Sequence, residues 1–188
     1  MRVIPFGPLL IHQKIDNTEL QYLKNEFLNS DEFETFNTFL PSITKRKRMN
    51  PNKGEYNQIL KPYIQQYLNV MGWKGNYQLK SLWGNSYDKH DYIPPHIHSE
   101  CDLSFVIFLQ MPPKEFSKIK DEGSINFMYG EQNYWKAKVT PITLQEIVPE
   151  EGDIFIFPQN LQHYTTPFLN DQIRKISLAG NIILESYE

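Results

Sequence analysis

Two histidines one residue apart, His96-Ile97-His98, stand just ahead of an apolar run from Leu103 to Leu109. On an extended chain alternate side chains share a face, so His96 and His98 can aim at one point. Converging neutral imidazoles suit iron, zinc, copper or nickel. A third histidine, His163, follows a second strand-like run, Gly152-Asp153-Ile154-Phe155-Ile156-Phe157-Pro158. Three nitrogen donors from two distant segments would make a metal centre with open coordination positions. Glu100, in His98-Ser99-Glu100, adds a carboxylate. Two local assignments therefore compete: His96 with His98, or a set in which Glu100 replaces one of them. His12 and His90 have no such context and read as surface residues. The lone thiol, Cys101, reads as a small buried apolar residue.

The elements that must position these donors follow from periodicity. From Tyr77 onward the chain breaks into short strand-like runs punctuated by Gly, Pro, Asn and Asp: 77–87, 102–111, 124–129, 141–148, 153–157 and 175–184. In the second run Phe105, Ile107 and Leu109 should face one side and Val106 and Phe108 the other. Short strands at such spacing, behind leading helices, predict a mainly β fold with N-terminal helices, an antiparallel sandwich or barrel of the jelly-roll type. Asn17-Thr18-Glu19 should cap a helix carrying Leu20, Leu23, Phe27 and Leu28. A short helix is expected over 31–40, and a longer one over 56–73 with Ile59, Tyr63, Ile64, Tyr67, Leu68 and Met71 on one side. Pro62 should kink that helix or mark its first turn. Residues 1–76 would then form a helical and extended support region, and 77–188 a double-stranded β-helix core, within one compact unit. The basic run Thr44-Lys45-Arg46-Lys47-Arg48 reads as a solvated loop, since no basic helix or interleaved aromatics accompany it. The loop tip around Tyr134 and Trp135 is placed to cover a site.

At these positions the chain resembles the 2-oxoglutarate- and Fe(II)-dependent oxygenases, in their prolyl-4-hydroxylase-like branch. Members carry a tyrosine nine residues ahead of a His-x-Asp, and Tyr87 stands nine residues ahead of His96. The resemblance is closest to a subgroup with Trp-x-Asn-x-Tyr, then His-x-His, then a Leu-Ser strand. Trp83, Asn85, Tyr87, His96, His98, Leu103 and Ser104 match it in order. The later glycine-led strand from Gly123 and the Gly-Asp-hydrophobic-Phe-Pro strand before His163 agree. What the resemblance implies is a cupin-like double-stranded β-helix hydroxylase with an Fe(II) centre, 2-oxoglutarate as cosubstrate and O2 as oxidant. It implies His96, His98 and His163 as ligands and catalytic centre, with His98 where the family usually has an acid. That exchange removes one negative charge and should make Fe(II) harder to oxidise. A basic residue would anchor the distal carboxylate of 2-oxoglutarate. Arg174 has the usual distance from His163, and Lys175 the usual basic-x-Ser relation to Ser177. Strand parity favours Lys175. Tyr87, Ser177 and Asn85 are the further candidates for binding the cosubstrate.

At 188 residues the chain can bury a core without disulfides or a structural metal, so a metal here would be functional rather than a folding staple. A net charge of −3 argues against broad nucleic-acid or anionic-membrane binding. One cysteine excludes an intramolecular disulfide and fits a reducing compartment. No apolar run approaches the roughly 20 residues of a membrane span, and a cytoplasmic protein is expected. The primary substrate, a protein side chain or a small molecule, is not readable. Two other classes fit the same barrel: a cupin-like metal-binding isomerase or sugar-binding module without 2-oxoglutarate, and a binding domain whose catalysis the acid-to-histidine change has impaired.

Overall fold

The computed structural model describes residues 7–28, 44–113, 119–130 and 143–185. The expected helix over 31–40 and the Tyr134/Trp135 loop tip lie outside them. Nine strands and two helices follow in the order β1 (Ile11–Lys14), α1 (Asn17–Leu28), β2 (Lys45–Met49), α2 (Gly54–Met71), β3 (Asn76–Tyr87), β4 (Leu103–Gln110), β5 (Ile125–Met128), β6 (Leu144–Ile147), β7 (Asp153–Pro158), β8 (Gln162–Thr165) and β9 (Lys175–Glu185) among the described residues. A six-stranded sheet, β1-β7-β4-β9-β3-β2, faces a three-stranded one, β6-β5-β8, and every pairing is antiparallel. This is the expected double-stranded β-helix.

Strand parity builds two cores. Phe105, Ile107, Leu109, Ile154, Ile156, Ile176 and Leu178 point outward to the helices, where Leu20, Leu23, Phe27, Leu60 and Ile64 meet them. Val106, Phe108, Phe155, Phe157 and Ala179 point inward and meet Ile125 and Phe127 of the small sheet. Both faces of β4, β7 and most of β9 are thus buried, which explains the nearly continuous apolar sequence of β4 and β7, while β9 alternates apolar residues with the inward Lys175, Ser177 and Asn181. Gly180 sits where β9 presses on its neighbours. A Cβ there would lie 2.7 Å from the Phe105 ring and 2.7 Å from the Ser81 carbonyl oxygen.

Three expectations need correcting. The cap of α1 is Asp16, whose Oδ1 accepts from the Thr18 N–H at 2.8 Å. Helix α2 runs through Pro62. Pro62 and Gln58 are both exposed, so the Gln58 carbonyl that Pro62 cannot serve meets water. The buried side of α2 is Tyr56, Leu60, Ile64, Tyr67 and Leu68, while Met71 is exposed. It stops at Gly72, in the left-handed region at φ 73°, with Trp73 N–H returning to the Leu68 carbonyl at 2.9 Å. Finally, the basic run is a strand, not a loop. Lys45 to Met49 pair with Ser86 to Leu82 of β3, which gives β3 a backbone partner on its otherwise open edge.

Candidate metal centre

The three predicted histidines come together. His96 and His163 form an isolated antiparallel bridge, each N–H donating to the other's carbonyl at 3.0 Å. The His98 N–H donates to the Gln159 carbonyl at 2.9 Å. These bonds clamp the segment before β4 onto β8. One ligand atom from each ring lies within 4.8 Å of the others, and His98 Nε2 is 3.3 Å from His163 Nε2. Two donors bound about 2.1 Å from one ion at a right angle sit about 3 Å apart, so this spacing suits neighbouring positions on a metal.

The ring tautomers follow from the partners. His96 Nδ1 lies 2.9 Å from the Pro94 carbonyl, and His163 Nδ1 lies 2.9 Å from the Leu161 carbonyl. A carbonyl only accepts, so each Nδ1 carries the proton and each Nε2 is left with a lone pair. Burial holds all three rings neutral: it lowers the pKa of His96, takes His98 down to about 4, and puts His163 well below the usual range. Two of the three Nε2 atoms are thus free to donate a lone pair to a cation. The residues present fit a divalent metal.

The predicted anchor residues separate cleanly. Lys175 and Ser177 are both 0% exposed and lie on the inward face of β9, whereas Arg174 is exposed and its carbonyl accepts from Gln110. The Lys175 ammonium donates to the Gly123 carbonyl at 2.8 Å and lies 4.5 Å from the centroid of the Tyr87 ring and 5.2 Å from that of Phe108. No carboxylate pairs with it among the described residues, and burial alone lowers its pKa to about 7. A buried ammonium of this kind has room for an anionic partner. Tyr87 is buried, and desolvation pushes its hydroxyl up to about 12. Asn85 Nδ2 is 3.4 Å from Ser177 Oγ, while its Oδ1 is buried without a partner. Tyr87, Phe108 and Asn85 line one cavity with the three histidines.

Glu100 is elsewhere. Its side chain is 81% exposed and pairs with Lys80 at 3.1 Å, and its backbone is left-handed at φ 57°. It is not among the gathered donors. His90 is exposed, and His12 stands on β1 at the surface, 3.1 Å from Asp153. Cys101 is buried, as its chemistry suggested. Trp83 is only half-buried: it packs on the inner core but also stacks on His98, with ring centroids 5.9 Å apart.

Sequence reasoning missed three site residues. Thr165 lines the cavity and accepts from the Ile93 N–H at 2.9 Å. Asn181 lies beside His96 and His98, its Oδ1 accepting from Ser104 Oγ at 3.0 Å. Arg46 reaches the cavity from β2, opposite Asn85. Only Arg46 left a signal, the i, i+2 pair Arg46 and Arg48, and it counts only once the run is known to be a strand.

Residues 81–181 match the family described as "Putative 2OG-Fe(II) oxygenase". No curated protein matches the chain. Among solved structures, the chain is similar to a Pseudomonas putida prolyl-4-hydroxylase, with TM-score 0.67, 13% identity, and 94% of this chain and 93% of that one covered. It is similar to a viral collagen prolyl hydroxylase from Paramecium Bursaria Chlorella virus-1 in complex with 2-oxoglutarate, with TM-score 0.61, 13% identity and coverage of 92% and 94%. It is also similar to HygX from Streptomyces hygroscopicus with nickel and 2-oxoglutarate bound, with TM-score 0.61, 15% identity and coverage of 93% and 82%. At these identities the structures speak for the fold.

Proposed function

We propose a role for each residue of this site from one premise: the chain belongs to the 2-oxoglutarate- and Fe(II)-dependent oxygenase family. It is an oxygenase of that family, and we assign it the hydroxylation of a substrate C–H bond. His96, His98 and His163 hold the ferrous ion. Lys175 anchors the distal carboxylate of 2-oxoglutarate, with Tyr87, Ser177 and Asn85 completing its polar surroundings. The observation that carries this reading is one pairing: three neutral imidazoles converge in a cavity, and a buried ammonium without a counter-charge lies behind Tyr87 and Phe108, two rings of that cavity's wall.

Bound there, the iron and 2-oxoglutarate supply the oxidising power, through decarboxylation of the cosubstrate to succinate and CO2. The chain's own residues do the rest. The Pro94 and Leu161 carbonyls fix the tautomer and tilt of His96 and His163, so that Nε2 is the donor in each. Lys175 sets the cosubstrate's orientation by charge, and the Tyr87 and Phe108 rings that flank it keep water from weakening that attraction. Phe157 and Val106 dry the wall beside the histidines.

We further place the protein in the cytoplasm, where its single buried thiol and a ferrous centre both persist; no helix among the described residues is long and apolar enough to cross a membrane. The test is stoichiometry. Protein reconstituted with Fe(II) under anaerobic conditions and then exposed to O2 should convert 2-oxoglutarate to succinate one for one, and His163→Ala should abolish it. Metal uptake with no succinate above a metal-free control would instead favour the impaired-domain reading, to which His98 in the acidic position lends its one specific support.

A further inference from the structure

Beside the cavity an open groove runs out from His96 and His98 to solvent, lined by Arg46, Arg48, Lys80, Trp83 and Asn181 among others. Three of its lining residues are cations and none is acidic, in a chain whose net charge is −3. Such concentration of one sign in a concave surface focuses attraction on an anion. Lys80 is already tied to Glu100. Arg46 is not tied: no carboxylate pairs with it among the described residues, and its Nε is buried with no hydrogen-bond partner. A desolvated guanidinium edge without an acceptor is costly to keep unless a ligand supplies one.

The groove is not lined by the cosubstrate anchor Lys175. Lys175 and Asn181 are on one face of β9, six residues apart, which is about 20 Å along a strand. Asn181 lines the groove with His96 and His98, while Arg46, in register with Asn85 and Ser177, stands where the groove and the inner cavity meet. On β2, Arg46 and Arg48 pair with Asn85 and Trp83, the inward-facing positions of β3. Their alternation therefore aims both at the groove.

We infer that the primary substrate is a small molecule bearing an oxyanion, carboxylate or phosphate, which Arg46 grips with the help of Arg48 in the groove beside His96 and His98. This rests on the histidine and Lys175 assignments above. A planar guanidinium matches either oxyanion with two parallel hydrogen bonds. A nucleic-acid strand fits poorly, because Trp83 is the groove's one aromatic besides the histidines and the cations do not extend into a track.

The test uses the full chain loaded with Mn(II) and N-oxalylglycine, a non-reacting mimic of 2-oxoglutarate. Inorganic phosphate and N-acetylglycine are titrated separately by calorimetry at low salt. Saturable binding of at least one is expected, and the tighter of the two identifies the substrate's group. Arg46→Gln should weaken it about tenfold or more and Arg48→Gln less, with N-oxalylglycine affinity changed less than about twofold. Lys175→Met should do the reverse. If neither probe saturates, or if Arg46→Gln costs N-oxalylglycine what Lys175→Met costs it, the proposal is overturned, and in the second case Arg46 belongs to the cosubstrate. Retained probe binding in protein that fails to take N-oxalylglycine would sink the Lys175 assignment and leave the groove standing. A single-stranded oligonucleotide bound more than tenfold tighter than phosphate would overturn the small-molecule assignment. Thermal melts of both arginine variants, expected to overlay the parent, guard against a folding artefact.

Discussion

Lys175 is the residue whose chemistry is most exposed to test. Its ammonium has a pKa lowered to about 7 by burial, so above that pH the free protein has lost the charge that a carboxylate needs. Binding an anion there must then take up a proton, and N-oxalylglycine affinity should fall up to tenfold per pH unit above about 7. Calorimetry at several pH values checks this, and Lys175→Arg should flatten the profile because a guanidinium stays charged. Arg174→Gln should leave it untouched, since Arg174 is at the surface. Which of these neighbours faces inward was legible in the sequence, because Ser177 fixes the parity. The absence of a counter-charge around Lys175 was not, since it depends on what Gly123 and Tyr87 bring from other strands. His98 gives a second prediction at this scale. Three neutral nitrogens favour the ferrous state; His98→Asp restores one negative charge and should lower the Fe(III)/Fe(II) potential and speed autoxidation, read by electrochemistry and by the loss of Fe(II) in air. An unchanged potential in protein that still holds iron would mean that residue 98 is not a ligand.

Strands β4 and β7 were readable as elements because both of their faces are buried, and an apolar run of that length has few other uses; β9 was readable from its alternation. Strand β2 was not. Lys-Arg-Lys-Arg carries no apolar period, and its strand character comes from the open edge of β3, which is information outside the run itself. Strand β8, Gln162-His163-Tyr164-Thr165, is four residues with no run to betray it, although it carries a proposed ligand. Strand β9 matters most, since one face of it presents Lys175, Ser177 and Asn181, and Gly180 lets it pack close enough to do so. Gly180→Ala would push a methyl against Phe105 and the Ser81 carbonyl. Backbone cannot give way cheaply, so we expect a loss of about 1–3 kcal/mol, measured by urea or thermal unfolding of the metal-free protein. Wild-type stability in that variant would mean that β3 and β9 are less closely packed than the fold requires.

At the scale of the whole molecule, the site makes stability depend on pH in two separate windows. The buried histidines titrate below their ordinary value near 6.5, His98 at about 4. Between those values the unfolded chain binds protons that the folded chain refuses, so the metal-free fold should lose stability as pH falls from 6.5 towards 4. Lys175 acts at the other end. Below about 7 both states carry its proton and the fold bears the cost of a buried charge; from about 7 to 10.5 the unfolded chain holds the proton while the fold releases it, and stability rises with pH. Metal-free melting curves should therefore climb on both sides of neutrality, with the Lys175→Met variant losing the upper limb and a variant without the three histidines the lower. The same depressed histidine values predict how the metal behaves. Protons compete for these nitrogens below pH 6.5, and for His98 only near 4, so the gain in melting temperature on adding Mn(II) should still be present at pH 6 and fade as pH approaches 4. A metal effect that halves near pH 6.5, as exposed imidazoles would give, would show that burial does not hold His96, His98 and His163 neutral.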